Sequence, residues 1–549
     1  MPDSPDRHID RRSLLKGAGI LGAGIAAGVP MLAACSDGSG AGTSSPGAGG
    51  GSTGSAATGG ASTSAPTASA GSPGTPVKGG KAVLAIQDSP VNMDPGDGQL
   101  YASLQVYQNI FSELLEIDAN FKYQPNLASS WQREDDKTWL FDLVENAVFQ
   151  NGEPVTAKDI AFTAKRTQAH PLGPLVDFID NVEVLGDHKF RLHLKQAYGP
   201  VEATLAAFLP IVNEKAVTEN NPKLQPYGSG PYQMVDFVQG SHVTLKRWEK
   251  YFKSDRPYFD QVVFNSVSDD TVRLTGLQTG QFDWIQAIPP QRLSEFENST
   301  SIAHTDGKPY FPYLIYLNTT KPPLNDVKVR QALMWAIDRK ELVDLTFFAS
   351  ALPAYQPVSP GNPWYVDHDP YQGGPDPDKA KALLKEAGQS SVTIEYLAKV
   401  EVPITSTIGE VLQSQFAKIG VNLQITKLSS ADYFTKLNGH QYGLAGGYFS
   451  VSIDPRMTYL MLGRSTSPFN SSGIKSDRLD AVLDKFTSEP DEEKARQIYP
   501  DVLTAFGEEA PYMFIANQLQ QYWMKPDIHG SVPYPSLEIR VEDMWRGNA

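Results

Sequence analysis

The segment from 392 to 425, VTIEYLAKVEVPITSTIGEVLQSQFAKIGVNLQI, decides the class of fold. Apolar residues alternate with polar ones at 392–396 and again at 421–425, which predicts two strands. Between them, residues 407–419 have the spacing of a helix, which ends at Gly420. A β-α-β unit of this kind joins parallel strands by a right-handed crossover. The later half of the chain is therefore predicted to contain an α/β lobe.

The earlier half is richer in strands. Trp139, Phe141 and Leu143 share one face of a predicted strand at 138–143, and a turn follows at Asn151-Gly152. Thr156 and Asp159 have the spacing of a capping box, which predicts a helix through Lys165. Further predicted elements are the hairpins 182–184 with 190–194 and 233–237 with 243–248, a helix capped by Asn325 or Asp326, and a helix from Pro377 to Ala387.

The amino terminus has the form of an export signal. Arg11-Arg12 precede a weakly apolar, Gly-rich run from Gly17 to Ala34 that is short for a membrane span. The end of this run, Ala33-Ala34-Cys35, resembles a bacterial lipobox, in which the cysteine carries the lipid. We therefore expect residues 1–35 to be a twin-arginine lipoprotein signal with lipidation at Cys35; an uncleaved anchor is the alternative.

Composition separates a tether from a folded body. Residues 36–78 are almost entirely Gly, Ser, Thr, Ala and Pro, which predicts a disordered tether. The remaining chain, Gly79 to Ala549, is long enough for two or three domains. The net charge of −15 and the absence of basic blocks argue against nucleic-acid binding.

No catalytic motif is present in the sequence. The nine histidines are scattered, there is one cysteine, and no zinc-ligand spacing, nucleophile elbow or phosphate-binding loop occurs. Gly228-Ser229-Gly230 precedes Pro231-Tyr232 and a predicted strand, where a hydrolase would have a helix. We expect no enzyme activity, no cofactor and no metal site.

Several blocks together resemble the extracytoplasmic solute-binding proteins of ABC importers, specifically the peptide/nickel-binding type, family 5. They keep the order and spacing of that family and cover most of 79–526. The blocks are Pro125–Ala128 with Ser130-Trp131, Thr138–Asp159, Gly228–Tyr232, Leu277–Asp283, Leu324–Leu333 continuing to Ala336–Arg339, and Asp378–Leu384.

The resemblance implies a two-lobed, periplasmic-binding-protein-like α/β fold of class II with an additional small inserted domain. It places lobe I at 79–120, 185–303 and 511–549, the inserted subdomain at 121–184, and lobe II at 304–510. Such lobes close over a ligand and present the closed form to the permease. The implied protein is a monomer, anchored by its lipid to the outer face of the cell membrane, that meets the transmembrane subunits of an ABC permease.

The resemblance also points to a ligand site before Asp454-Pro455. The predicted ligand-binding residues there are Gly447, Tyr448, Phe449, Ser450 and Asp454, and the alternative for each aromatic residue is core packing. Peptide-binding members resembling this chain carry an aspartate where Val451 stands, and that aspartate pairs with the peptide ammonium. Either Asp454 takes over this role or the ligand lacks a free amino terminus in this orientation. The alternative for Asp454 itself is that it stabilises a turn before the proline.

Residues near the lobe junctions complete the predicted site, namely Gln99, Tyr101, Met513 and Phe514. Short peptides are the predicted ligand. Oligosaccharides are the second possibility, because Trp284, Tyr310 and Trp364 could stack on sugar rings together with Tyr448 and Phe449. A nickel or other metal complex is the third, and an extracellular sensor or adhesin with the same fold but without transport is the alternative from another class.

Overall fold

The computed structural model describes residues 75–97, 101–371, 374–389, 391–449 and 453–547. The predicted signal segment 1–35, with Cys35, and most of the predicted tether lie outside these ranges. The last residues of the predicted tether are part of the described structure. Val77 forms a bridge with Arg546, and the Lys78 ammonium donates to the carbonyl of Ser254 at 3.0 Å. The folded body therefore begins before Gly79. Within the described ranges, no helix has both the length and the apolar character needed to cross a bilayer.

Three main sheets organise the body. The first sheet has seven strands, in the spatial order Ala303–His304, Trp523–Met524, Trp284–Ile285, Lys81–Ile86, Gln261–Ser266, His242–Arg247 and Tyr232–Val238. Its central strand, Lys81–Ile86, is parallel to both of its neighbours. The strands toward Tyr232–Val238 are antiparallel, as the predicted hairpin requires.

The second sheet has six strands, in the order Ala351–Pro353, Tyr512–Gln520, Lys308–Leu317, Leu444–Tyr448, Val392–Lys399 and Val421–Leu428. Val392–Lys399 and Val421–Leu428 are parallel and in register over their whole length, and the helix Ile404–Ala417 connects them, so the predicted β-α-β unit is confirmed. Leu314 and Ile315 point to opposite faces of the sheet and are both fully buried. Helices cover both faces of this sheet, which is why the end of the strand Lys308–Leu317 is a continuous apolar run.

The third sheet has four strands, in the order Ala128–Asp135, Thr138–Leu143, Lys189–Leu194 and Ile179–Gly186. It has a core of its own, in which the rings of Phe141 and Phe190 stack at 4.9 Å. The helix Ala157–Gln168 packs against this core, and Asp159 reaches back to accept from the Thr156 amide at 2.9 Å, as the capping-box spacing predicts. Two short pairs complete the strands: Leu115–Ile117 with Tyr123–Pro125, and Ile528–His529 with Trp545–Arg546.

The remaining helices pack against all three sheets. Asp326 caps the helix predicted to begin there, and the helix predicted at Pro377 spans Pro377–Glu386. The helices not yet given are Tyr101–Tyr107, Gly173–Val176, Val201–Leu205, Glu214–Glu219, Asp270–Gln278, Leu293–Phe296, Val327–Ala336, Arg339–Phe347, Ser430–Asn438, Pro455–Gly463, Asp477–Ser488 and Glu492–Glu509.

Two chain segments cross between the first and second sheets. One crossing runs at 305–307, between the strands Ala303–His304 and Lys308–Leu317, and the other at 521–522, after Tyr512–Gln520. They are hydrogen-bonded to each other, because the Thr305 amide donates to the Tyr522 carbonyl and the Tyr522 amide donates to the Thr305 hydroxyl, both at 3.0 Å. A pair of linked crossings is the structural element about which two lobes can close.

The sheets end at residues other than the predicted domain boundaries. Lys189–Leu194 belongs to the third sheet, beyond the predicted end of the inserted subdomain at 184. Tyr512–Gln520 pairs in the second sheet, although 511–549 was assigned to lobe I. The chain returns to the first sheet only at Trp523–Met524. The local sequence pattern does not show this, because the strand before it pairs with residues about 200 positions away.

Gly228 and Gly230 are turn glycines required by close packing. A Cβ on Gly228 would lie 2.1 Å from the Ile110 carbonyl oxygen, and one on Gly230 would lie 2.7 Å from the Ile110 carbonyl carbon. The Gly230 amide donates to that same oxygen at 2.8 Å. The motif therefore packs one backbone segment closely against another.

Candidate functional site

A cavity of about 90 Å³ lies between the first and second sheets, beside the crossing segments. The side from the first sheet contributes Gln87, Asp88, Gln286 and Ala287, and the side from the second sheet contributes Phe311, Tyr313, Val402 and Tyr448. The strand end leading into the second crossing adds Gln518, Leu519, Gln520 and Gln521. Amides and aromatic rings thus surround the space.

Strand direction explains why these residues meet. Gln87 and Asp88 follow the strand Lys81–Ile86, and Gln286 follows the parallel neighbour Trp284–Ile285. In the second sheet, Lys399 and Tyr448 are the last residues of two parallel strands. Ligands of open α/β sheets bind outside the carboxyl ends of the strands, and here the carboxyl ends of both sheets face one cavity.

Tyr448 belongs to an aromatic wall. Its ring lies 4.8 Å from that of Phe311 and 5.8 Å from that of Tyr313, and Tyr448 itself is half-buried at the end of its strand. Burial, with a smaller contribution from the charge of Asp88, raises the pKa of the Tyr448 phenol well above its usual value. The hydroxyl therefore stays neutral at physiological pH.

Lys399 is the buried cation next to this wall. Its side chain is 4 % exposed, and its ammonium lies 4.4 Å from the centre of the Tyr448 ring and 5.3 Å from that of Tyr433. Among the described residues, the ammonium makes no hydrogen bond and no ion pair, whereas the Lys399 amide is held by the Thr405 hydroxyl at 3.0 Å. Burial lowers the pKa of Lys399 to about 8, against the opposing effect of Asp88 and Glu401.

Asp88 faces Lys399 from the first sheet. Burial raises the pKa of its carboxyl group, while the charges of Lys399 and Arg273 act in the other direction. Within the described part of the chain, the Asp88 carboxylate accepts no hydrogen bond and forms no ion pair. Arg273 does not bind the Asp88 carboxylate directly. The Arg273 guanidinium donates instead to the carbonyls of Val267 at 2.6 Å and Ser268 at 3.0 Å.

Gln520 adds an unused acceptor. It is 8 % exposed, its amide nitrogen donates to the Tyr522 hydroxyl, and its Oε1 atom is buried without a partner in the described structure. By contrast, Gln521 donates to the Thr305 carbonyl at 3.0 Å, and the Gln286 Oε1 atom accepts from the Gln87 amide at 2.8 Å. A buried acceptor without a partner at a cavity wall is suited to an N–H group from a ligand.

The predicted glycine pair lies within the second sheet. A Cβ on Gly446 would lie 2.0 Å from the Tyr396 hydroxyl, and one on Gly447 would lie 2.6 Å from the Tyr316 ring. Both positions are therefore closely approached by tyrosines of the same sheet. Gly447 stays in the predicted site only as the strand residue that precedes Tyr448.

Asp454 is not at the cavity. It is 1 % exposed and caps the helix Pro455–Gly463 by accepting from the Arg456 amide at 2.9 Å. The Arg456 guanidinium binds the same carboxylate, with Nη2 2.6 Å from Oδ2. Of the two interpretations of Asp454, the geometry matches the structural one, although the carboxylate caps a helix and not a turn, and both carboxylate oxygens are occupied by the protein itself.

The other predicted residues divide among three situations. Met513 and Phe514 are 0 % and 2 % exposed and lie in the cores on the two faces of the second sheet, so they belong to the strand that reaches the cavity but do not line it. Phe449 packs against core residues, and its amide donates to the Pro312 carbonyl at 3.0 Å. Tyr101 is the first residue of a helix, and Gln99, Ser450 and Val451 lie outside the described residues.

A larger cavity, of about 590 Å³, lies between the third sheet's subdomain and the helix Pro455–Gly463. Its charged residues are already paired: Lys195 binds Asp177 at 2.6 Å, and Arg464 binds Asp484 at 2.7 Å. We therefore regard the smaller cavity, which Asp88 lines without a partner among the described residues and which has Lys399 beside its Tyr448 wall, as the functional candidate. No group of three or more His, Cys, Asp or Glu side chains suited to a metal ion occurs in the ranges that the structure covers.

Comparison with known proteins agrees with this architecture. Residues 122–471 match the family model described as bacterial extracellular solute-binding proteins, family 5 middle. The nickel-binding periplasmic protein of Escherichia coli strain K12 is 25% identical over 487 residues, which cover 82% of this chain and 92% of that protein.

Solved structures with the same fold include two with bound peptides. The oligopeptide-binding protein AppA from Bacillus subtilis, in complex with a nonapeptide, has a TM-score of 0.77 at 21% identity and covers 86% of this chain and 100% of its own. The dipeptide-binding protein from Pseudoalteromonas sp. SM9913, in complex with Met-Leu, has a TM-score of 0.77 at 21% identity, with 85% and 100% covered. These similarities show that the fold is the two-lobed periplasmic-binding-protein fold.

Proposed function

Because this chain belongs to the bacterial extracellular solute-binding proteins of family 5, we propose that it is the substrate-binding component of an ABC importer and captures short peptides. The observation that carries the proposal is the cavity at which the strand ends of both sheets meet. Among the described residues, two charged groups near this cavity have no protein partner: Asp88 lines it from the first sheet, and Lys399 lies behind its Tyr448 wall in the second. A ligand that neutralises both groups binds both lobes at once.

Such a ligand favours closure. A ligand shifts an open–closed equilibrium only by its differential affinity for the two states, and a swing from mostly open to mostly closed needs a preference of about 10⁴-fold. Contacts that exist only when both lobes meet supply this preference. The lobes follow the first and second sheets, with the crossings at 305–307 and 521–522 as the hinge and the third sheet as the inserted subdomain.

Peptides fit this cavity better than sugars do. Trp284 is 0 % exposed and donates to the Ser531 hydroxyl at 2.9 Å, while Trp364 is 4 % exposed within a core, so neither offers a ring face to a sugar. A partly exposed carboxylate and a buried ammonium close to one cavity suit a molecule with an ammonium and a carboxylate group. The structures that share this fold with bound peptides support the same ligand class.

Thermal unfolding in the presence of candidate ligands tests this proposal. Dipeptides and tripeptides added to the purified full-length chain should raise its unfolding midpoint, because a ligand at about 100 times its Kd stabilises the folded state by about 2.7 kcal/mol. Small-angle scattering on the same samples should show a smaller radius of gyration. Oligosaccharides and nickel chelates serve as controls; stabilisation by either of them and not by peptides contradicts the proposal.

We further propose that the protein acts as a monomer without enzyme activity, at the outer face of the membrane, held there by lipid on Cys35 and handing its ligand to an ABC permease. The support is the order of Arg11-Arg12, the apolar run and Ala33-Ala34-Cys35 in the sequence. Cys35→Ala should move the protein from the membrane fraction to the soluble fraction. Unchanged fractionation of Cys35→Ala would reject the lipid anchor while leaving ligand binding untouched.

A further inference from the structure

A cluster of charged side chains is buried beside the first sheet and shares no lining residue with the cavity between the sheets. The carboxyl-terminal segment 538–542 meets the chain that leads to the inserted subdomain here. The Asn109 side chain donates to the Ile539 carbonyl at 2.9 Å. The Arg540 guanidinium donates to the Ile117 carbonyl at 2.8 Å, within the short strand pair that precedes the third sheet. The cluster therefore joins the carboxyl-terminal segment to the root of the inserted subdomain.

Carboxyl groups outnumber cations in this cluster. The carboxyl groups belong to Glu113, Glu116, Glu538 and Glu542, and the cations to Lys253 and Arg540. The Lys253 ammonium binds Glu116 and lies 3.2 Å from the Glu542 carboxylate. The Arg540 Nε atom donates to the Glu538 carboxylate at 2.8 Å. Among the described residues, Glu113 is the member of the cluster whose carboxyl group forms no ion pair.

Glu113 is also poorly solvated. It is 5 % exposed, and its Oε1 atom has no hydrogen-bond partner in the part of the chain that the structure describes. It lines a polar cavity of 20 Å³, which has room for about one water, together with Asn126, whose Oδ1 atom is an acceptor likewise without a partner there. A buried carboxylate without a cation is unfavourable, whereas a neutral carboxyl group avoids this cost and brings an O–H donor.

The neighbouring charges favour the neutral form of Glu113. Burial raises the pKa of its carboxyl group well above the usual value, and the charges of Glu538 and Glu116 add to the rise. Its own backbone amide and the charge of Arg540 act in the other direction. The charged and titratable groups farther along the cluster are Lys253, Glu542, Tyr251, and the paired Arg256 and Asp543.

Glu116 differs from Glu113 although both belong to the same cluster. Burial acts against the charge of Glu116, but Arg540 and Lys253 outweigh it and lower the pKa of this carboxyl group. Glu116 is thus a paired carboxylate, and Glu113 is the unpaired carboxyl group beside it.

We infer that Glu113 carries a proton at neutral pH and forms a pH-sensitive joint, because loss of this proton in alkaline solution loosens the contact between segment 538–542 and the root of the inserted subdomain. The inference concerns the folded body and does not depend on which ligand the protein binds. An unfolded glutamate loses its proton near about pH 4.3, so above this pH the folded protein binds one more proton than the unfolded chain. The contribution of Glu113 to stability is therefore full in acid and is lost as the pH rises through its raised pKa.

Chemical denaturation of the full-length protein tests the inference on two matched variants. Glu113→Gln keeps the shape and neutrality of the protonated side chain but cannot titrate. Its folding equilibrium constant, divided by that of the parent, should rise about tenfold for each pH unit from about pH 5.5 to pH 7. Glu116→Gln removes a paired charge from the same cluster, so it should lower stability throughout this range.

Hydrogen exchange tests whether the effect is local. Exchange is compared between the parent and Glu113→Gln at each pH, so that the intrinsic pH dependence of exchange cancels. From about pH 6 to pH 8.5, the parent should lose protection relative to Glu113→Gln at residues 109–117 and 538–542. Residues 392–399 of the second sheet should not differ in this way. An equal loss of protection in the second sheet would overturn the assignment of a local joint.

Other results would overturn the inference as well. One is a folding equilibrium constant for Glu113→Gln that keeps the pH dependence of the parent or falls below that of the parent at pH 7. Another is stabilisation by calcium chloride of the parent but not of Glu113→Gln, which would assign the Glu113 carboxylate to a bound cation. If Glu113→Gln does not fold, carbon-13 NMR of Glu542→Gln labelled at glutamate Cδ supplies the answer. A neutral carboxyl signal at pH 7 supports the inference, and its absence rejects it.

Discussion

Replacing Arg456 with methionine should lower the free energy of unfolding by about 3–5 kcal/mol, because the substitution leaves the buried Asp454 carboxylate without its cation. The two side chains are 4 % and 1 % exposed, and the guanidinium contacts the carboxylate through Nε at 3.0 Å and Nη2 at 2.6 Å. Arg456 also donates to the Glu489 carbonyl at 3.1 Å and lies 4.6 Å from the centre of the Trp364 ring. Water cannot replace these contacts at such a depth.

Chemical denaturation of the full-length protein measures this effect. Arg464→Met is the matched control, since Arg464 follows the same helix and pairs with Asp484, but the two side chains are 31 % and 52 % exposed. Exposed pairs of this kind contribute about 0–1 kcal/mol. Equal losses in the two variants would show that the Asp454–Arg456 pair is no more important than a surface contact.

The affinity for zwitterionic dipeptides should fall about tenfold for each pH unit above about pH 8. Lys399 has a pKa of about 8 in the unliganded protein, and only its protonated form binds a carboxylate. The groups that face Lys399 are Asp88, Glu401, Tyr433 and Tyr448; burial raises the pKa of both phenols well above its usual value, so they stay neutral across this range. Among the protein groups at the site, the decline therefore reports on Lys399.

The amino group of the dipeptide also titrates near this pH, so a control is needed. Lys399→Arg keeps the positive charge but does not lose its proton, and its pH profile should show only the contribution of the ligand amine. Calorimetric titrations from about pH 7 to pH 9.5 compare the two profiles. Superimposable profiles would mean that Lys399 does not bind the ligand through its charge.

The contribution of Lys399 to the stability of the unliganded protein should rise with pH over the range in which the affinity falls. The folded pKa of Lys399 lies below the value of about 10.4 of an unfolded lysine, so between about pH 8 and 9.5 the unfolded chain binds more protons at this residue. Its contribution to stability therefore rises with pH while affinity falls. The difference between the parent protein and Lys399→Met isolates this contribution from that of the other groups.

Much of the fold follows from local pattern. The alternation at 392–396 and 421–425 predicts both strands of the crossover unit, and the structure confirms them at Val392–Lys399 and Val421–Leu428. Thr156 and Asp159 mark the start of a helix correctly because a cap depends on residues within one turn. The boundary at 510 could not be found in this way, since Tyr512–Gln520 pairs with Lys308–Leu317 far along the chain.

The site was only partly predictable for the same reason. Tyr448, a predicted ligand-binding residue, lines the cavity, whereas Asp454, predicted from the same stretch of sequence, caps a helix. A usable signal existed: Gln87-Asp88 and Gln286 come immediately after buried strands, and Lys399 ends one. Polar residues at the carboxyl ends of parallel strands are where ligands bind, provided that the strand order is known.

By itself, the sequence determined the strands and helices, the export signal as a prediction and the resemblance to solute-binding proteins, because each depends on the spacing of residues that are neighbours in the chain. Only the tertiary structure decided that Asp88, Tyr448 and Gln520 line one cavity, that Lys399 lies against its Tyr448 wall, and that Asp454 is elsewhere. Residues hundreds of positions apart meet through sheet pairing and chain crossings. Their charges acquire a function when burial removes the water that would otherwise solvate them.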